Sequence, residues 1–206
     1  MISSICASNR PALIPRVIAQ WQAQTCTDRE LVIVQNADES PALVPSGVVN
    51  VVAPAGTVLG AKLNLGIAAA HGTLIHKWDD DDMYAPGFLA RGVATVSDGK
   101  TDFCTWTRNL IQFPGETRVI LWFGVGGSSI FTRKLAAKCP YRVVSSDVDG
   151  GLVADMRHAG FRAIGVSDSP SLFTYVRDGN NLWKTMPWGE PVDDYLKRCS
   201  DPWRGK

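Results

Sequence analysis

The chain is short of the residues that announce several large protein classes. Its three histidines, His71, His76 and His158, lack the H-E-x-x-H spacing of zinc hydrolases. The five cysteines, Cys6, Cys26, Cys104, Cys139 and Cys199, are scattered and form no C-x-x-C pair. That pattern speaks against a zinc ribbon or a disulfide framework and suits a reducing cytosol. There is no Lys/Arg run, and a net charge of +1 leaves no electrostatic footprint for nucleic acid. No apolar run reaches the roughly 18 to 20 residues of a membrane span. The opening "MISSICASNRP" has no basic segment ahead of an apolar one, so it reads as a strand and not as a signal peptide. Internal repeats and low-complexity linkers are also missing. The expectation is a soluble, cytoplasmic protein whose 206 residues, 45% hydrophobic and 20% charged, make an ordinary globular chain.

What is present is an alternation of strand and helix patterns. "ISSIC" is a strand candidate, followed by the turn "ASNRP". From Ala12 to Gln24 the residues Leu13, Ile14, Val17, Ile18 and Trp21 fall at helical spacing, with Pro11 suited to the first turn. "ELVIVQN", Glu30 to Asn36, is a continuous apolar run, as in a strand buried on both faces, and "VVNVVAP" is a third strand. "LGAKLNLGIAAAHG" predicts a helix closed by Gly72, and "TLIHKW" a fourth strand. Beyond Pro86 come a helix ("GFLARGVATV"), strand candidates ("DFCTWTRNLIQF", "TRVILWF") and a glycine-rich turn leading into a strand and a helix ("GVGGSSIFTRKLAAKC"). An amphipathic helix ("DGGLVADMRHAGF") and strands "RAIGV" and "SLFTYV" follow, and the tail from Asp178 has no clear periodicity. Repeated strand–helix–strand units predict an α/β fold with a mostly parallel sheet. Ligands bind such sheets beyond the C-terminal strand ends, where Ser8-Asn9-Arg10, Gln35-Asn36 and the run Asp79-Asp80-Asp81-Asp82 all fall.

Four adjacent carboxylates at the end of a buried strand repel one another and are poorly solvated there. In extended chain Asp79 and Asp81 point one way, Asp80 and Asp82 the other. A D-x-D pair can converge on a hard cation such as Mg²⁺ or Mn²⁺ and leave it open to a diphosphate. The competing reading is a solvated acidic turn before Pro86.

These residues resemble the family 2 glycosyltransferases of the GT-A fold. The likeness runs through "SSICASNRPALIPRVIAQWQAQTCTDRELVIVQN" and "LGAKLNLGIAAAHGTLIHKWDDDDMYAPGFL", matching the family's N-R-P turn, K-L-N helix and D-x-D-D-x-Y-x-P segment. The resemblance implies a Rossmann-like mixed, mostly parallel central sheet flanked by helices. It implies inverting sugar transfer from a nucleotide-diphosphosugar, a UDP-sugar in the first place, with Mn²⁺ or Mg²⁺ on the D-x-D motif. The acceptor, a glycan, lipid-linked or protein group, stays open. By register Asp81 would bind the metal and Asp79 the metal or donor ribose, with Asp80 and Asp82 in support. Ser8, Asn9 and Arg10 would lie beside the base, and Lys62 and Asn64 would face the donor phosphates or sugar, unless Lys62 is simply a solvated helix lysine. Gln35 and Asn36 stand where the family commonly has acidic residues, and an amide can still pair with a base as donor and acceptor.

The family's general base opens a helix ending in A-G, which aligns Asp149 with it; Asp147 is the rival, and N-capping is the structural alternative for both. "TYVRDGNNLW" looks like the family's closing segment with Asp178 in place of His. "WFGVGGSSIF" would form the acceptor wall, with Gly126 and Gly127 in it and Trp122 or Trp106 able to stack on a sugar face, although a core role for most of the seven tryptophans is the better expectation. Residues 1–97 would bind the donor, 98–177 would form the acceptor half, and 178–206 would be a tail packed on the domain or a partner. Two other functions compete. A sugar nucleotidyltransferase would want a G-x-G-T-R-like segment after the first strand, which is missing. A non-catalytic nucleotide- or sugar-binding domain is suggested by Gln35-Asn36, Val148 and Asp178.

Overall fold

Strand β1 (Ile2–Ala7) lies between two parallel neighbours, β2 (Arg29–Asn36) and β4 (Leu74–Lys77), and β3 (Val49–Ala53) extends the sheet beyond β2. This is a computed structural model, and it describes residues 1–121, 126–177, 189–191 and 194. On the other side of β4 come β9 (Ile130–Thr132), antiparallel, then β6 (Phe103–Trp106) and β10 (Ala163–Val166). The seven-stranded order β10-β6-β9-β4-β1-β2-β3 is therefore mixed but mostly parallel, as expected.

The apolar runs exist because both faces of this sheet are covered. On β1 and β2, Ile2, Cys6, Leu31 and Ile33 face α1 (Ile14–Gln22) and α3 (Phe88–Val96). The alternate residues Ile5, Val32 and Val34 face α2 (Leu59–Ala69), α4 (Arg133–Lys138) and α5 (Val148–His158). Period-2 alternation thus feeds two cores rather than one core and solvent. A second sheet runs β12-β8-β7-β11-β5, from β5 (Met83–Tyr84), β7 (Arg108–Phe113), β8 (Glu116–Leu121), β11 (Phe173–Val176) and β12 (Glu190–Pro191).

Three expectations need correction. "DFCTWTRNLIQF" is two strands in two sheets, parted at Thr107, whose N–H and hydroxyl both donate to the Val166 carbonyl. Helix α2 ends at Ala69, with Ala70 already extended, so Gly72 is no helix cap. Gly72 is required for close approach instead: a Cβ there would lie 2.8 Å from Ser3 N and 2.9 Å from the Met1 carbonyl. Trp106 faces no sugar. It is fully buried, stacked on Phe88 at 4.4 Å, and its indole N–H donates to the Ser169 carbonyl.

Candidate active site

From β1 the chain passes through α1 to β2 and β3, and from β3 it returns through α2 to β4 on the opposite side of β1. The switch point therefore lies between the C-terminal ends of β1 and β4, the place where sheets of this kind bind ligands. Ser8-Asn9-Arg10 leaves one of these ends and Asp79 to Asp82 the other, and they meet. The Ser8 hydroxyl and the Arg10 guanidinium both donate to the buried Asp80 carboxylate, and Arg10 also pairs with Asp81 at 3.0 Å. Burial works against the Arg10 charge, and bonding to Asp80 and Asp81 more than reverses it. Asn9 is exposed.

The four aspartates do not alternate as extended chain would. Asp80 and Asp81 form a turn and both pair with Arg10, while Asp79 and Asp82 both lie against Gly127. Two side chains of α1 hold the turn: Arg16 donates to the Asp80 carbonyl at 2.6 Å and Gln20 to the Asp82 carbonyl at 3.3 Å. Behind it stands an aromatic wall, with Trp78 4.1 Å from Tyr84 and Tyr84 5.3 Å from Phe173. The Asp79 N–H donates to the Tyr84 hydroxyl oxygen at 2.9 Å.

Asp79 reaches both a lysine and, through it, the far half of the chain. Lys77 Nζ lies 2.7 Å from Asp79 and 3.1 Å from Asp149, which stands in the first turn of α5. Burial works to lower the Lys77 ammonium's pKa, and Asp149 and Asp79 overturn that and keep it charged. Burial pushes the Asp79 carboxyl up to about 6, with Lys77 opposing and Asp149 and Asp81 adding to the rise. Asp82 is fully buried: Oδ1 accepts from the Val176 N–H at 2.9 Å, while Oδ2 has no partner. Its carboxyl is raised well above the usual range, first by burial and then by Asp79 and Asp81.

Gly126 and Gly127 open a short turn before β9, and antiparallel pairing of β9 with β4 brings them over the end of β4. Both lie against carboxylates. A Cβ on Gly127 would sit 2.8 Å from Asp82 Oδ2, 2.9 Å from Asp79 Oδ2 and 2.9 Å from the Tyr84 hydroxyl. A Cβ on Gly126 would overlap the whole Asp149 carboxylate. His76, fully buried on β4, fixes this turn by donating from Nε2 to the Gly127 carbonyl at 2.9 Å, while Nδ1 faces the Ser4 hydroxyl. Burial lowers its pKa to about 3, so the folded protein keeps it neutral where the unfolded chain is protonated. Its stabilisation is complete above the ordinary value of about 6.5 and is lost as pH falls towards 3. Acid unfolding followed by circular dichroism should therefore lose up to one proton's slope, about 1.4 kcal/mol per pH unit, in His76→Gln. An unchanged slope would refute the assignment.

Other expected residues have other uses. Both ends of the Asn64 amide bond the backbone of Tyr141, at 2.8 and 3.0 Å, so it fastens α2 to the segment after α4 instead of facing the donor. Gln35 is spent on the Ala42 backbone and Asn50. Asn36 donates to the Thr57 carbonyl, but its buried Oδ1 has no partner. Lys62 is buried on α2, where desolvation lowers its pKa against attraction from Glu39 and Asp80. Asp147 is exposed, in the left-handed region (φ 55°), with its carboxylate beside Gly150. Trp122 and Asp178 lie outside the described residues. Sequence reading missed Lys77, although a lysine in a buried strand, two residues before Asp79 and on its face, carried the signal.

Among the described residues no group of three or more His, Cys, Asp or Glu side chains forms a metal cage. Nor is any helix there long and apolar enough to cross a membrane. The family model described as "Glycosyl transferase family 2" matches residues 4–147. Residues 1–349 of TarS from S. aureus, solved with UDP-GlcNAc, superpose with a TM-score of 0.68 at 13% identity, covering 87% of this chain and 59% of that one. The mannosyltransferase PcManGT from Pyrobaculum calidifontis, solved with GDP-Man and Mn²⁺, gives 0.63 at 16% identity, covering 85% and 56%. The chain thus shares their fold and spans under two thirds of their length. No curated protein sequence matches it.

Proposed function

Because the chain belongs to glycosyl transferase family 2, we propose that it moves a sugar from a nucleotide-diphosphosugar, a UDP-sugar first among them, to a hydroxyl acceptor with inversion. The observation that carries this reading is the meeting of Asp79, from the end of β4, with Asp149, from the start of α5, on one buried lysine beneath two glycines. The first carboxylate belongs to the donor half of the chain and the second to the acceptor half, so the reacting groups would meet between them.

Asp149 is 31% exposed and so reachable from solvent, as a base must be. It takes the acceptor hydroxyl proton as that oxygen bonds to the anomeric carbon. The bond from that carbon to the diphosphate breaks, and its electron pair leaves with the nucleoside diphosphate. Arg10 and Lys62 add positive charge around the phosphates, and Asn36 Oδ1 offers the base an acceptor.

The residues fit a divalent metal. Asp79 and Asp81 are hard oxygen ligands, 27% and 17% exposed, Asp79 lies with the unpartnered Asp82 Oδ2 against Gly127, and two carboxylates suffice where substrate phosphate and water complete the shell. Asp79 and Asp81 would hold it, and when bound it supplies positive charge for the leaving diphosphate. Titration calorimetry with UDP and GDP, with and without Mn²⁺, tests the reading. Mn²⁺-dependent binding of a nucleoside diphosphate is expected; metal-independent binding, or none, overturns it.

A further inference from the structure

Lys77 is the one described lysine that two carboxylates of separate purpose share, and it is nearly inaccessible, at 4% exposure. An ammonium is stable in that position only while it is paired. It approaches both oxygens of Asp79, at 2.7 and 2.8 Å, and a single oxygen of Asp149, at 3.1 Å. Asp79 is thus held by Lys77 and still 27% exposed. A cation arriving from solvent meets a carboxylate whose charge is already engaged.

We propose that Lys77 is an internal counter-ion that competes with the divalent cation for Asp79 and, as the cation binds, is left to Asp149. This rests on the reading of Asp79 as a metal ligand and Asp149 as base given above. It makes Lys77 a positioning residue. Without donor the lysine holds the two carboxylates together and keeps metal affinity low. With donor the diphosphate oxygens add ligands that outweigh the competitor, so metal and sugar nucleotide bind together rather than singly.

The test is Mn²⁺ affinity without donor, read from the paramagnetic resonance signal of free Mn²⁺. Lys77→Met alone leaves two carboxylates unpaired, so the decisive variant is Lys77→Met with Asp149→Asn, which has the wild-type net charge. It should bind Mn²⁺ about tenfold more tightly than wild type, a coupling of ordinary size for linked sites. Equal or weaker binding, with wild-type circular dichroism, overturns the inference alone. No Mn²⁺ binding by wild type or variant overturns the metal reading with it. Should the double variant not fold, Lys77→Arg serves: a guanidinium keeps both pairings and should leave Mn²⁺ affinity at or below wild type, and tighter binding overturns the proposal.

Discussion

An Asp149→Asn protein is expected to bind the sugar nucleotide as wild type does at saturating Mn²⁺ and to transfer the sugar about 10²- to 10⁴-fold more slowly, the range a positioned general base contributes. The amide has the carboxylate's shape, so the fold around Gly126 need not change, but it cannot accept the acceptor's proton. Single-turnover rates with saturating donor, alongside calorimetric donor affinity, separate chemistry from binding. A wild-type rate would remove Asp149 from this role, and a parallel loss of donor affinity would move it to the donor side.

Gly126→Ala should come close to that loss without replacing any ionisable group. The added methyl would occupy the space of the Asp149 carboxylate. That carboxylate ends a short flexible side chain, so it swings away and the backbone holds. Displacing a catalytic group by about 1 Å costs on the order of 10²-fold in rate. The expected result is a fall of that size in kcat, with donor affinity and melting temperature near wild type. Full activity in Gly126→Ala would mean that Asp149 works from another position than the one seen here.

The first four strands were legible because each is a short apolar run between turn residues, and both faces of their sheet are covered. The aspartate run stood out as a candidate through its place at the end of β4. Its geometry was not legible, because alternation holds only while the chain stays extended, and Asp80 and Asp81 turn. Thr107 hid a change of sheet: β-propensity runs unbroken across it, and only tertiary pairing separates β6 from β7. Trp106 took the core role expected of most tryptophans, but which of the seven would do so was not legible, because one sequence does not report burial. The different placement of Asp147 and Asp149 was not legible, because it comes from one left-handed residue, Asp147, that precedes α5, while Asp149 in the first turn pairs with Lys77.

The segment that carries the aspartates is also the only described covalent path between β4 of the first sheet and β5 of the second. Residues 78 to 82 span it, and each end is pinned, by Ile5 accepting from the Trp78 N–H and by Val176 donating to Asp82. The segment therefore has a fixed length as well as a fixed chemistry. Exchanging one of its side chains alters a ligand. Inserting or deleting one residue shifts the register of β5 against β11 and turns Tyr84 from the aromatic wall to the opposite face. In this chain the spacing of the acidic residues is also the ruler that sets one sheet against the other.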